Sequence, residues 1–226
     1  MPSEFRAEFQ AWFDAENSGP LKDAVSPEFI AYLDALPDNP RSIRNPANLT
    51  GPIAEMDFAK AFYLPDPSLN LIDAPLDSPE GPVSIDSLQG GYTLLAFWAT
   101  WCAPCLLELP HLAEIEQEFA EEGLKLIAVQ SEKPASDLAA KTEQALAKAG
   151  AENLTHWRDG GPDHLAQWTA TGRTLPMTVL IGPDGQEIGR QTGVIRAPGA
   201  PEDATQWSTP EAHDFFRALV SPQPAP

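Results

Sequence analysis

The sequence predicts an α/β fold, a mixed sheet with helices packed against it. Three observations predict it. Residues 93–99 form a continuous apolar run, as expected of a strand buried on both faces, and 124–129 read as a second buried strand. The stretch between them, 103–122, has the length and periodicity of a helix that crosses over between parallel strands. Finally, Gly182-Pro183-Asp184-Gly185 separates two further strand-like segments, which marks a tight antiparallel reversal.

Composition bounds what such a fold can do. The 226 residues include 14 Lys+Arg and 33 Asp+Glu, a formal charge of −19, while 42% are hydrophobic and 21% charged. This is enough apolar material for a core, and the acidity reflects few bases rather than a disordered polyanion. Nucleic acid is excluded as a partner, because phosphate binding needs clustered Lys and Arg and no run of three bases occurs. Anionic membrane surfaces would repel the chain for the same reason. No apolar stretch approaches the ~18 residues of a membrane span, and MPSEFRAEFQ has no apolar signal-peptide centre. A soluble chain is expected, with the compartment left open.

The length suits one domain with an appendage. Of the 24 prolines, nine fall in the first 67 residues, so 1–67 reads as a helical, proline-rich extension and 68–226 as the main domain. In the extension, Phe5, Phe9, Trp12 and Phe13 recur at helical spacing. Ser26-Pro27 reads as an N-cap with proline at the first helical position, followed by Phe29, Ile30, Leu33 and Leu36. Residues 37–46 read as loop, and a third short helix runs from Pro52 through Ile53, Met56 and Phe62. Such stripes usually face a core; docking on the main domain and a partner-docking surface are the two readings.

Within the main domain, 69–72 and 83–85 read as short strands ahead of the buried strand at 93–99. The helix 103–122 closes at Gly123, and the strand 124–129 follows. An alanine-rich helix covers 134–149 and ends at Gly150; a shorter one covers 162–170. Strands at 177–181 and 187–194 flank the reversal. The last helix starts after Ser208-Thr209 with Pro210 in its first turn and Glu211 completing a Ser-x-x-Glu box, and it carries Phe215, Phe216 and Leu219.

The two cysteines, Cys102 and Cys105, sit where the first buried strand hands over to its helix. One four-residue loop would staple little, so the pair is free for chemistry. A structural zinc site would need two more ligands, and His111, His156, His164 and His213 are scattered without metal-binding spacing. No metal and no cofactor are expected. A cysteine at a helix mouth faces unpaired N–H groups and the positive end of the dipole, which favour its thiolate. Cys102 is therefore the expected nucleophile and Cys105, one turn inside the helix, the resolving thiol. Pro104 fits the first turn, where its missing N–H is not needed.

The stretch WATWCAPCLLELP resembles the active site of the thioredoxin superfamily, in particular the TlpA/ResA/CcmG-like thiol-disulfide oxidoreductases. The similarity covers about residues 69–220, with later anchors TLPMTVLI at 174–181 and GPDG at 182–185, and does not extend to the lead segment. It implies a thioredoxin-like three-layer sandwich with a mixed central sheet. It also implies that Pro176 is a cis-proline beside the cysteines, with the Leu175 backbone pairing to an extended substrate. Trp101 matches the family's exposed aromatic, and with Ala103 and Pro104 completes the implied substrate-binding surface. Pro110 matches a helix-kinking proline, and Gly193 a glycine near the site.

One departure is informative. Thioredoxins proper carry a buried aspartate six residues before the first cysteine, where this chain has Ala96. Glu108 lies three residues after Cys105, shares a helix face with it, and matches the glutamate of the ResA-like subgroup. It is the expected proton acceptor for Cys105, with a pKa raised by partial burial; a solvated helix glutamate is the plainer reading. Trp98 reads as core, Trp207 as rim or packing, and His111 as a helix histidine. The sequons at Asn48 and Asn153 read as coincidence in a bacterial protein.

By the resemblance, the chain reduces disulfides of proteins in the periplasm or cell envelope, as in cytochrome c maturation. Its electrons then come from a membrane thiol reductant, and it acts as a monomer. Cys-x-x-Cys couples span about −270 to −120 mV, so an oxidase or isomerase is the alternative enzyme. Two other classes are a Cu(I)-handling protein, with His156 or His164 as a third ligand, and an adaptor whose working part is the lead segment. A cytoplasmic location is the alternative compartment.

Overall fold

The structure is a computed structural model that describes residues 45–47, 49–64, 76–159, 175–194, 201 and 204–221. The helical stripes expected before residue 37, the strand at 69–72, the helix at 162–170, His164 and Asn48 lie outside the described residues.

Strand β5 (Tyr92–Trp98) pairs in parallel with β6 (Leu124–Gln130) and antiparallel with β8 (Met177–Ile181). Hydrogen-bonded on both sides and covered on both faces, it is apolar almost throughout, as expected of a central strand. The crossover from β5 to β6 is helix α1 (Ala103–Phe119), which continues as a 3-10 turn over Ala120–Glu122 and ends at Gly123, whose φ of 99° is a left-handed stop. Helix α2 (Leu138–Ala149) follows β6, and α3 (Pro210–Val220) ends the described chain. Among the described residues the strand order is β1-β2-β9-β8-β5-β6-β7-β3-β4. Here β1 is Asn45–Pro46, β2 Tyr63–Leu64, β3 Leu76–Ser78, β4 Gly81–Val83, β7 Thr155–Asp159 and β9 Glu187–Thr192.

The sheet separates two apolar clusters. On one face, Leu94, Ala96 and Trp98 of β5 pack under Cys105, Leu109, Leu112 and Ile115 of α1 and under Phe215 and Phe216 of α3. On the other, Leu95 and Phe97 pack with Val129, Met177, Val179, Ile85 and Leu76. The α/β class and thioredoxin-like layering are those expected from the sequence.

Several elements differ from expectation. Strand β7 is absent from the sequence reading because Thr-His-Trp-Arg-Asp lacks an apolar run; its place is set by parallel pairing with β6 and antiparallel pairing with β3. The strand expected at 83–85 is instead the second arm of the β3-β4 hairpin, and the chain coils into a 3-10 turn at Ile85–Ser87. Helix α2 starts at Leu138 rather than 134, after a turn closed on the Ala135 carbonyl. The second hairpin strand stops at Thr192, ahead of Gly193 with φ 76°. The N-cap of α3 is Thr209, whose hydroxyl accepts the Ala212 N–H at 3.2 Å; the reciprocal capping box lies one turn earlier, between Thr205 and Ser208.

The helix expected from Pro52 is two 3-10 turns, Gly51–Glu55 and Ala59–Ala61, broken by extended backbone at Met56. These residues belong to the sheet and core. β2 pairs with β9, and a Cβ at Gly189 would lie 2.8 Å from the Ala47 Cβ, so only glycine admits this approach. Phe58 lies 5.6 Å from the Trp207 ring and 5.2 Å from Phe215, and Phe62 stacks on Phe215 at 5.6 Å. The compact unit accordingly includes these residues and begins at Asn45.

Phe62 is 2% exposed, so Phe62→Ala should cost about 3–5 kcal/mol. Urea denaturation of the oxidised protein measures it; a loss under ~1 kcal/mol would mean that residues 45–64 are not part of the core.

Candidate active site

The site begins at the C-terminal end of β5. After Trp98 the chain must leave the sheet and turn into α1 within four residues, and two contacts from the residues that follow β6 hold that turn. Ser131 donates its N–H to the Trp98 carbonyl at 2.8 Å. The Glu132 carboxylate accepts the Thr100 N–H at 2.8 Å and the Thr100 hydroxyl at 3.0 Å, and it takes the Gln130 amide at 2.8 Å. Sequence reading missed Glu132; its only local signal is position at the end of the strand beside β5.

Cys102 is the N-cap of α1, with extended backbone (φ −86°, ψ 91°). Its Sγ accepts the Cys105 N–H at 3.3 Å and is bonded to the Cys105 Sγ, with 5.3 Å between the two Cα atoms. When the bond is open, a sulfur in this position is stabilised as thiolate by that N–H and by the helix dipole. Both cysteines are buried, whereas Ala103 and Pro104 are exposed and Trp101, at 65%, is the one large apolar side chain fully presented to solvent among the described residues. Residues 98–107 carry no charge of their own despite the acidity of the chain, and the Glu132 carboxylate meets them at Thr100.

The β5-β8 register supplies the opposite side. Phe97 pairs with Met177, so Pro176 stands level with Trp98, at the end of the sheet from which the cysteine turn departs. The Leu175–Pro176 bond is cis, the geometry that the resemblance implies here. The Pro176 carbonyl accepts the Gly193 N–H at 2.9 Å.

Glu108 follows Cys105 by one turn of α1 and is 2% exposed. Burial pushes its carboxyl from 4.5 up to about 8, against the opposing pull of the Trp207 indole and the Gln206 amide. Only one of these two is a hydrogen bond of ordinary geometry: Gln206 Nε2 donates to Glu108 Oε1 at 2.7 Å, whereas the buried Trp207 Nε1 has no partner within range. Gln206 is thus the carboxyl's structural partner. No signal in the sequence pointed to it, since 98 residues separate the two. Chemically, a protonated Glu108 beside a newly released Cys105 thiolate can supply a proton, and an ionised one can remove a proton from the thiol.

The remaining candidates take structural places. Trp98 is buried in the core, and Trp207 packs among Phe58, Phe62 and Phe216 rather than standing at an open rim. His156 lies on β7 with its ring against Trp98 at 5.9 Å, and burial followed by the Arg158 charge lowers its pKa. His111 sits 3.6 Å from Glu114 on the same helix. Pro110 lies inside α1.

The sequence model of the AhpC/TSA family matches residues 59–205. The thiol-disulfide oxidoreductase ResA of Oceanobacillus iheyensis is 37% identical over 65 residues, 29% of this chain and 33% of that protein. ResA of Bacillus subtilis is 29% identical over 113 residues, 50% of this chain and 59% of that one. The matches span less than two thirds of either relative's own length. Among solved structures, a secreted Mycobacterium tuberculosis disulfide oxidoreductase homologous to E. coli DsbE aligns with a TM-score of 0.46 at 18% identity, covering 67% of this chain and 96% of that one.

Two outcomes are expected from these contacts. With its pKa raised on folding, Glu108 binds a proton more tightly in the folded chain, so its contribution to stability falls as pH rises from 4.5 to about 8. Glu108→Gln should remove that decline, which denaturation midpoints of the oxidised protein between pH 4 and 9 will reveal as a flatter curve. Glu132→Ala leaves the Thr100 N–H and the Gln130 amide without that acceptor and should cost about 1–3 kcal/mol in the same assay.

Proposed function

The chain belongs to the AhpC/TSA family, and from that premise we propose that it is a thiol-disulfide oxidoreductase working mainly as a reductase of protein disulfides. The observation that carries this reading is the Cys102–Cys105 disulfide at the N-terminus of α1, with a buried carboxyl one turn behind it.

In the reduced protein the Cys102 thiolate attacks one sulfur of a substrate disulfide. A mixed disulfide forms and one substrate thiolate leaves. Glu108, ionised, takes the proton from the Cys105 thiol; Cys105 then attacks the Cys102 sulfur and expels the second substrate thiolate. Two electrons pass to the substrate, and Cys102 and Cys105 are left joined. A dithiol reductant reverses the sequence: it attacks Cys102, the Cys105 thiolate leaves, and protonated Glu108 returns the proton. Because burial holds Glu108 protonated up to about 8 in the oxidised form, the proton is in place before the reductant arrives.

Substrate docking falls to the uncharged surface of Trp101, Ala103, Pro104, Leu175 and Pro176, with the Leu175 backbone offered to an extended segment. The formal charge of −19 disfavours acidic partners everywhere else. One chain suffices as the working unit, since both cysteines, Glu108 and Pro176 come from it. Resemblance to the TlpA/ResA/CcmG-like proteins supports a place in the cell envelope, a membrane thiol reductant as donor, and substrates of the cytochrome c maturation type.

Cys105→Ser, reduced and mixed with a disulfide-bearing protein, should accumulate a mixed disulfide at Cys102 that mass spectrometry locates, and Cys102→Ser should lose turnover. Equilibration with glutathione should give a potential below about −200 mV; a value near −120 mV would reverse the assigned direction.

A further inference from the structure

Gln206 opens the 3-10 turn Gln206–Ser208 that follows β9, and it is 6% exposed. Its Nε2 reaches two acceptors, Glu108 Oε1 at 2.7 Å and the Gly193 carbonyl at 3.4 Å. A backbone carbonyl can only accept, so the amide nitrogen faces inward and Glu108 receives an N–H. With the Gly193 N–H on the Pro176 carbonyl at 2.9 Å, one continuous path of hydrogen bonds joins the cis-proline to the buried carboxyl.

The turn does not need this side chain to form. Thr205 Oγ1 accepts the Trp207 N–H at 3.3 Å, Ser208 Oγ donates to the Thr205 carbonyl at 2.8 Å, and the Trp207 ring is held by Phe58 and Phe62. Burying a long amide costs side-chain entropy and desolvation, and here it brings the amide nitrogen to Glu108 and to the Gly193 carbonyl.

Besides Gln206, the Trp207 indole is the other group that pulls against the effect of burial on this carboxyl. On α1 the titratable neighbours are Cys105 and, one turn further, His111 beside Glu114. From the sheet beneath, Ala96, Ala128, Thr178 and Gln191 carry no charge, and the same row continues on β7 to His156, whose ring stands against Trp98 and whose pKa is lowered by burial. The buried side chains of α2 are Leu138, Thr142 and Leu146. On α3, Glu211 stands in the first turn, Asp214 pairs with Arg217, and His213 and Arg217 hold Glu118 near the far end of α1. Among the described residues no Lys or Arg pairs with Glu108.

We infer that Gln206 is a positioning residue for Glu108: its amide fixes the carboxyl one helical turn from Cys105 and, as a donor, favours the ionised form, so it sets the pH range over which Glu108 exchanges a proton with Cys105. This rests on the reading of Glu108 as proton carrier, and it adds a residue from a segment distant in sequence from the Cys-x-x-Cys motif.

The test follows reduction of the oxidised full chain by dithiothreitol from pH 5 to 10, with rates divided by the dithiothreitol thiolate concentration. The wild type should show a falling limb that Glu108→Gln abolishes. Gln206→Met, matched in length, should move that limb upward by about one pH unit, a tenfold change in carboxyl ionisation at fixed pH. Gln206→Asn, one methylene shorter, should move it in the same direction. In the Glu108→Gln background, Gln206→Met should change nothing further. An unmoved limb in a folded Gln206 variant, or a shift that persists without Glu108, overturns the inference. Should wild type and Glu108→Gln share one profile, the proton-carrier reading itself has failed. The infrared carboxyl band of Glu108, assigned by its loss in Glu108→Gln, then still tests Gln206: titration at higher pH in Gln206→Met supports its role, and an unchanged titration rejects it.

Discussion

Strand β5 is hydrogen-bonded on both sides and buried on both faces, and the arrangement of the site depends on that. Its register with β8 brings Pro176 level with Trp98, and its register with β6 brings Ser131 and Glu132 to the turn that leads into Cys102. A one-residue slip in either pairing would exchange the faces of a whole strand, turning Leu94 and Trp98 away from α1. The apolar character of residues 93–99 is therefore more than core material. It gives the strand one stable depth in the sheet and fixes where the chain emerges.

Burial of Glu108 is the second constraint. With alanine at position 96 of the strand below, that position offers no ionisable group, and the carboxyl one turn from Cys105 comes from the helix above. Desolvation raises that carboxyl, which keeps a proton stored next to the disulfide at neutral pH. The same desolvation would make the ionised state expensive if nothing opposed it. A donor from the post-β9 segment opposes it, and the aromatic packing of Trp207 on Phe58 and Phe62 closes the space from water.

Charge and apolarity are divided between regions of this molecule. The acidic excess lies outside residues 98–107, and the exposed Trp101 beside Ala103 and Pro104 gives the disulfide a neutral border. In the proposed function, recognition through such a border would draw on apolar contact and backbone pairing, which vary little with salt, while the surrounding negative charge would discriminate among partners by repulsion.

Local patterns were legible where local physics decides. Helical periodicity put Glu108 on the face of Cys105, an unbroken apolar run marked β5, and two cysteines at a strand-to-helix junction with no further ligand set marked redox chemistry. The short polar strand β7 and the β3-β4 hairpin were not legible, because pairing partners rather than their own residues hold them. Nor was the membership of residues 45–64 in the sheet, which turns on Gly189 admitting Ala47. By itself the sequence determined the cysteine pair at the helix mouth, the carboxyl one turn behind it, and the uncharged segment around them, since each depends on neighbours within one or two turns. Tertiary structure alone decided how deeply that carboxyl is buried, that Gln206 meets it, and that Pro176 stands beside the cysteine turn. Desolvation and register depend on which distant segments of the chain come to cover a group, and spacing along the chain carries no record of that.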